Sequence, residues 1–354
     1  MHLFLANYPI AENIREGMSQ RMVAIDRQFD KVDRAYLFVS YRFFRKKQVV
    51  KISESVTQYR CNMLIHFFFI LRLMRSADTF FFHSVINVLP VLPFLVFIPS
   101  QTRWILDVHG VVPEEMKLAR LKMKSFLYGF SERFIFRRLD VAIVVSRTME
   151  NHLRQKYPNS TSRYVTYFIV PVHIGKLPEI KEVMQVKSSK LVVVYSGNTQ
   201  RWQHIDLMLE IIKRNRASHV CYYLLTGEPE RMNKLLAAHG MIPDENLNVK
   251  SVTPESLHEY YQIAHFGFVL RDDIVVNQVA CPTKLVEYLY YGMTPIVKSR
   301  SIGDFESLGY ECVDYRDFSI DTLPQKSSVN CRIVRTMLAE NKNTNLLTLL
   351  AKNA

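Results

Sequence analysis

"CPTKLVEYLYYGMTPIV", residues 281–297, sets a helical pattern directly against a strand-like one. Over Thr283 to Tyr291, at about 100° per residue, Leu285, Val286, Leu289 and Tyr290 share one side, and Lys284, Glu287 and Tyr291 share the other. Gly292 reads as the stop, and Thr294 to Lys298 as a short buried strand. The unit is a helix feeding a sheet. Its polar side, turned away from the core, has two readings: a solvated i,i+3 ion pair, or a pair kept for a ligand.

The same rhythm extends outward along the chain. Before this stretch come "LVVVYSG", "CYYLLTGEP", "LNVKSV" and "FGFVLR", and earlier still "HLFLAN", "RAYLFVS", "TFFFHS", "RWILDVHG" and "DVAIVVS", all separated by segments with helical spacing. Short apolar runs alternating with helices imply parallel sheets covered on both faces. The expected fold class is α/β, with two doubly wound, Rossmann-like domains and a cleft between them.

At 354 residues the chain suits two cores rather than one. The polar stretch "GKLPEIKEVMQVKSSK", residues 175–190, reads as the linker. The expected division is 1–180, 188–330 and a C-terminal helix over 331–354 that packs back on the first domain. Residues 1–180 hold 26 Lys and Arg against 14 Asp and Glu, a net +12, while residues 181–354 hold 20 against 19. One half is basic and the other neutral.

Five separated cysteines without a CxxC pair suit reduced thiols in a cytosolic setting. The N-terminus "MHLFLANYPI" has no charged n-region and reads as a first strand rather than a secretory signal. Residues 80–100, "FFFHSVINVLPVLPFLVFIPS", approach the length of a membrane span, but His83, Asn87, Pro90 and Pro93 divide them into a strand, a turn and a buried helix.

In doubly wound sheets ligands lie beyond the carboxyl ends of the strands, so the loops there carry the candidates. After "RWILDV" come His109 and Gly110, then a helix with Pro113, Glu114 and Glu115 in its first turn. His109 either donates to a sugar hydroxyl or phosphate, or is a turn histidine bonded to backbone. In "YSGNTQRWQHIDLMLEII", Gly197 lets the backbone approach a ligand, Asn198 follows, and Arg201 stands near a helix start that attracts phosphate. Trp202 reads as packing. A third loop, "LRDDIVVNQVACPTKLVEYLYYG", carries Asp272, Asp273 and Asn277.

The order "YSGN…W", "LTGEPE", "SVTPESLHEYYQIAHFGFVLR" and "PTKLVEYLYYGMTPIV", with "DVHGVVPEE" earlier, resembles family 4 retaining glycosyltransferases of the GT-B fold, of the bacterial surface-polysaccharide type. The likeness runs from about residue 79 to 300. It implies that Glu287 grips the ribose of a nucleotide diphosphate sugar, with Lys284 near the diphosphate. A basic pair, here Arg201 and Lys284, would neutralise the departing diphosphate, so neither metal nor cofactor is expected. Asp272 and Asp273 are adjacent rather than alternating, unlike a DxD metal motif.

The family's other carboxylate, eight residues before Glu287, is replaced by Val279. Asp272, Asp273 and Asn277 stand in the same loop, either as substitute hydrogen-bonding groups or as solvated polar residues. The family's flexible loop after the first strand corresponds to "ANYPIAENIREGMSQRM", where Arg15 and Gly17 are the candidate acceptor or loop contacts, ahead of a stripe of Met18, Met22 and Ile25.

The basic half has two mixed segments. "YRFFRKKQVVK", residues 41–51, interleaves aromatic and cationic side chains, and a helix from Glu114 would set Lys117, Arg120 and Lys124 opposite Met116, Met123 and Leu127. Such faces are either solvated or suited to anionic headgroups. No nucleic-acid module accompanies the charge. The expectation is a cytoplasmic enzyme, peripheral on the inner membrane face, transferring a sugar from a nucleotide sugar to a lipid-linked glycan acceptor in lipopolysaccharide or capsule synthesis. The alternatives are a GT-B sugar-nucleotide epimerase and a catalytically silent GT-B subunit.

Overall fold

The computed structural model describes residues 1–9, 17–169, 179–185, 188, 190–321 and 325–350. It forms two compact units, Met1–Phe168 with Lys342–Ala354, and Ile169–Asn341. Arg15 lies outside the described residues.

The first unit runs β1 (His2–Leu5), α1 (Gly17–Asp26), β2 (Arg34–Ser40), β3 (Gln48–Lys51), β4 (Val56–Asn62), α2 (Phe67–Arg75), β5 (Thr79–His83), α3 (Leu92–Leu95), β6 (Arg103–Val108), α4 (Val112–Leu118), α5 (Lys122–Phe136), β7 (Val141–Val144), α6 (Arg147–Lys156) and β8 (Arg163–Thr166). The sheet order is β3-β4-β2-β1-β5-β6-β7-β8. Every residue of β5 and β7 is buried, as expected of parallel strands covered on both faces.

The chain leaves β1 toward β2 in one direction and later fills the other side through β5 to β8. Right-handed crossovers then put α1 on one face and α2 and α5 on the other. Met22 and Ile25 of α1 accordingly join Phe4, Tyr36, Phe81, Ile105 and Ile143 in one core. On the opposite face Trp104 meets Phe80 and Phe134 of α5, with ring centres 6.2 and 6.5 Å apart.

The second unit runs α7 (Ile180–Met184), β9 (Leu191–Ser196), α8 (Ile205–Arg214), β10 (Val220–Leu225), α9 (Pro229–Ala238), β11 (Leu247–Lys250), α10 (Leu257–Ile263), β12 (Phe266–Val269), α11 (Val275–Gln278), α12 (Thr283–Tyr290), β13 (Thr294–Val297), β14 (Val313–Asp314) and α13 (Ser328–Asn343). Its sheet, β11-β10-β9-β12-β13-β14, is all parallel and reverses direction between β9 and β12.

Several expectations change. The first unit stops at Phe168, not at residue 180, and the last helix belongs to the second unit as far as Asn341. Asn330 of α13 explains why: its side-chain amide donates to the carbonyls of Met293 and Glu311, each at 2.9 Å. Only the tail rejoins the first core, through Leu346, Leu349 and Leu350. Part of the expected linker, Ile180–Met184, is a helix with a Glu179–Glu182 capping box and a buried Val183.

The first sheet is not purely parallel, because β3 pairs antiparallel with β4 and all four of its residues are exposed. Residues 80–100 become a strand, two short 3-10 turns and a four-residue helix. No helix among the described residues is long and apolar enough to cross a membrane. The helix expected from Glu114 breaks at Arg120, whose φ is +60°, and Met123 and Leu127 are exposed rather than turned to a core.

Candidate functional site

Each unit gathers polar side chains where its sheet reverses direction, the place where two neighbouring strand ends open onto diverging loops.

In the second unit this place lies beyond β9 and β12. Gly197 ends β9 with φ +145°, a conformation side chains disfavour, and a Cβ there would stand 3.2 Å from the Tyr195 hydroxyl and 3.6 Å from Lys284 Nζ. The β9 loop is braced by Glu228, whose carboxylate accepts from both the backbone N–H and hydroxyl of Thr199 at 2.8 Å. His204 Nε2 reaches across to Asp272 Oδ2, 2.9 Å away in the β12 loop. Lys298 donates to the other Asp272 oxygen, and this bond, followed by His204, holds the Asp272 carboxyl below its ordinary pKa despite partial burial.

Helix α12 comes close to the strand ends because residue 267 of β12 is glycine: a Cβ there would lie 2.4 Å from the Tyr288 ring. Tyr288 is thereby seated with its hydroxyl accepting from Ser196 N–H at 3.0 Å. Ser196 Oγ is 2.8 Å from the Tyr261 hydroxyl, which donates to Glu287 Oε2 at 3.1 Å. Burial first, then Glu287, pushes the Tyr261 phenol well above its ordinary pKa, so it serves as a fixed donor.

The polar side of α12 is therefore not a solvated one. Glu287 is 6% exposed and the helix is buried on nearly every residue. A third layer closes the C-terminal end of the helix: Lys326 Nζ donates to the carbonyls of Tyr261 and Tyr291 at 2.8 Å, and Ser327 and Cys331 pack against the Gly292 turn.

Lys284 donates to Gln203 Oε1 at 2.9 Å and its ammonium sits 4.4 Å from the centre of the Tyr195 ring. Burial, and then the charge of Arg271, push its pKa well below the ordinary lysine value, while Glu287 pulls the other way. Arg271 is also depressed by burial, bonds Asn277 Oδ1 at 3.2 Å, and keeps a buried Nε with no hydrogen-bond partner among the described residues. Two neighbouring desolvated cations beside a glycine turn form a cradle for an anion with more than one charge.

Of the expected residues, Gly197, Lys284 and Glu287 come together here. Asn277 is buried but holds the loop, donating to the Asp272 carbonyl at 2.9 Å. Asp273 is exposed and accepts from Gln278. Asn198 is exposed, and its carbonyl accepts from the Tyr195 hydroxyl. Arg201 is exposed on a 3-10 turn, and Trp202, expected in packing, is 50% exposed. The cation that accompanies Lys284 is Arg271. The signal for it is a lone basic residue at the end of the apolar run "FGFVLR".

In the first unit the gathering point is beside the reversal between β1 and β5, at the ends of β5 and β6 and on α1, which follows β1. Asp107, fully buried, is gripped by Arg21, with Nη2 to Oδ1 at 2.6 Å and Nε to Oδ1 at 2.9 Å, and Arg21 Nη1 also donates to the Tyr167 carbonyl. Asp107 Oδ2 bonds His109 Nε2 and faces His83 Nδ1 at 3.5 Å. Burial alone would raise the Asp107 carboxyl, but Arg21 and then His109 overrule it and hold the group well below the ordinary range. With Nε2 committed to Asp107, His109 keeps a buried Nδ1 without a hydrogen-bond partner among the described residues.

His83, Asp107 and His109 are close enough to share a metal ion. The guanidinium already engaged on Asp107 supplies the positive charge that such an ion would bring, and would repel it. Gly17 starts α1, one turn ahead of Arg21. Arg21 and Asp107 were not singled out from sequence, although an aspartate inside the apolar strand "RWILDV" is the visible sign.

No family model matches the chain, and no curated protein matches its sequence. Solved structures do match. The E. coli trehalose-6-phosphate protein bound with UDP-2-fluoro glucose aligns over 100% of both chains with a TM-score of 0.65 and 10% identity. The sucrose-phosphate synthase of Thermosynechococcus elongatus aligns over 99% of this chain and 93% of its own, with a TM-score of 0.56 and 12% identity. Anabaena HepE in complex with UDP and glucose aligns over 99% and 92%, with a TM-score of 0.55 and 10% identity. The chain has the α/β GT-B fold.

Proposed function

We propose that this chain is a glycosyltransferase that takes a sugar from a nucleotide diphosphate donor and passes it, with retention of configuration, to a lipid-linked glycan acceptor at a membrane surface. The observation that carries the reading is the Lys284–Arg271 pair at the Gly197 turn, one helical turn from the buried Glu287. A diphosphate restores the charge environment that burial denies Lys284, and it needs that neutralisation most as the glycosidic bond breaks. Glu287, positioned by the Tyr261 hydroxyl, is an acceptor suited to paired ribose hydroxyls.

The neighbours bound to UDP or a UDP sugar support the same donor class. Because two protein cations face the diphosphate, the reading requires no metal. Assignment to lipopolysaccharide or capsule synthesis in the cytoplasm rests on the sequence resemblance and the basic first unit.

One observation favours a second reading, a subunit that binds the nucleotide without turnover: Val279, where the resemblance places a carboxylate, is 2% exposed. The test is calorimetric titration with UDP, GDP and UMP in chelator, followed by a search for slow hydrolysis of the matching nucleotide sugars. Diphosphate binding with hydrolysis supports the transferase, and binding without hydrolysis or transfer supports the silent subunit. No preference for diphosphate over monophosphate would overturn both.

A further inference from the structure

The two mixed basic segments of the first unit were separate features in the sequence. In the fold they are neighbours: partial burial and then the nearby Tyr128 phenol of α5 raise the Tyr41 hydroxyl above its ordinary pKa. Tyr41 and Phe43, in the loop after β2, are 60% and 76% exposed. That loop is pinned where it is, since Asn62 donates to the Arg42 carbonyl at 2.8 Å and His66 bonds the Arg45 carbonyl at 3.0 Å.

The first half of α5 departs from an ordinary surface helix. Its buried residues, Ser131, Glu132, Ile135 and Phe136, all lie in its second half. From the turn before it as far as Phe130, Leu121, Met123, Phe126, Leu127 and Phe130 are exposed, Met123 at 72% and Phe126 at 70%. The break at Arg120 and the Ser125 hydroxyl, which donates to the Pro113 carbonyl at 2.8 Å, hold this half against α4. A large contiguous apolar patch of this kind marks an interaction site.

Charge decides the occupant. From Met116 to Ser131 the sequence has Lys117, Arg120, Lys122 and Lys124 and no acidic residue, and these four cations are exposed. The carboxylates of this region are turned inward. Glu114 and Glu132 both accept from Lys156 of α6, and Glu115 is folded against Gly110. The outward face is thus apolar and purely cationic, with aromatic rings at its centre, a composition that matches the boundary of an anionic bilayer.

We propose that the first half of α5, with the Tyr41–Lys47 loop beside it, is a membrane-docking surface whose occupant is a bilayer rich in anionic lipid, with Met123, Phe126 and Phe130 entering the headgroup layer. The inference rests on the reading of a membrane-bound acceptor and assigns the part of the chain that meets the membrane.

The test uses the full chain and vesicles of phosphatidylcholine with and without about one-third phosphatidylglycerol, read by co-sedimentation. The parent should bind the anionic vesicles, more weakly as salt rises, and bind the neutral ones poorly. Phe126→Ser with Phe130→Ser should lower the partition at least tenfold. Lys122→Gln with Lys124→Gln should lower it about fivefold per cation. Neutralising Lys213, Arg214 and Arg216 on the second unit should leave it within twofold. A Phe126→Trp variant should gain quenching by brominated lipid that the parent lacks.

Equal partition of the parent and the double serine variant would overturn the proposal. So would a concentration-dependent dimer, seen in sedimentation velocity and lost in that variant, because the patch would then be covered by a second copy. UDP affinity measured on the same samples separates the two readings. Surface variants that lose vesicles and keep UDP leave the donor site intact, and vesicle binding without UDP binding leaves the docking surface intact.

Discussion

The Lys284 ammonium lies over the Tyr195 ring, 4.4 Å from its centre, and thereby completes a cationic floor beneath the Gly197 turn. The ring offers a weak electrostatic partner in place of water, worth about 0.5–2 kcal/mol, which does not offset the hydration lost by a partly buried ammonium. The site is built for a ligand that supplies negative charge.

Replacing that charge should separate stability from binding. Lys284→Met keeps the length of the side chain and removes a partly desolvated cation, so unfolding of the second unit should be unchanged or shifted to higher urea. Affinity for UDP should fall tenfold or more, since charge-assisted hydrogen bonds contribute about 1.5–3 kcal/mol each, and affinity for UMP should fall less. Calorimetry on the two nucleotides checks this. Equal losses for both would place Lys284 away from the diphosphate.

The same desolvation makes binding depend on pH. Lys284 has a pKa well below the ordinary lysine value in the free protein, and a bound diphosphate raises it. Between those two values binding takes up a proton, so affinity should weaken as pH rises through that window. Titrations in buffers of different ionisation enthalpy should report net proton uptake by the parent and less by Lys284→Met. Proton release would reverse the assignment.

Glu287→Gln tests the ribose contact. The amide keeps the shape of the side chain and still accepts from Tyr261, now 3.1 Å away, but it offers the ribose a neutral acceptor. UDP affinity should drop about tenfold, at about 1.4 kcal/mol per decade. A UDP analogue lacking both ribose hydroxyls should bind parent and variant alike. If the variant loses as much with the analogue, Glu287 acts on the fold and not on the sugar.

The central strands were legible because strands covered on both faces are unbroken apolar runs, as in Phe80–Phe82 and Val192–Val194. Strand β4 was not, because it carries Gln58 and Arg60, whose side chains donate to Asn7 Oδ1 at 2.6 and 3.1 Å. The helical wheel correctly grouped Lys284 with Glu287. It placed them outward because the groups that meet them, Gln203 on Lys284 and Tyr261 on Glu287, lie 81 and 26 residues away, too far along the chain for local periodicity to register. Arg21 was hidden for the same reason. Its partner Asp107 lies 86 residues away, and only the fold joins them.

That pair supports a prediction about the first unit. In the folded protein Asp107 is held well below the ordinary carboxylate pKa, so the stability it contributes is present above about pH 4 and is lost as pH falls through its folded value. Arg21→Met leaves the carboxylate buried without its main counter-charge, a change that costs about 3–5 kcal/mol near neutral pH. Burial then raises the Asp107 pKa, so the variant accepts a proton in mild acid and part of its deficit relative to the parent disappears. Urea unfolding read from Trp104 in a Trp202→Phe background reports the first unit alone, since the chain has two tryptophans. The gap between parent and variant should be widest at pH 7 and narrower at pH 4.5. A gap that stays constant would mean that Arg21 holds the site by packing and by its bond to the Tyr167 carbonyl rather than by its charge on Asp107.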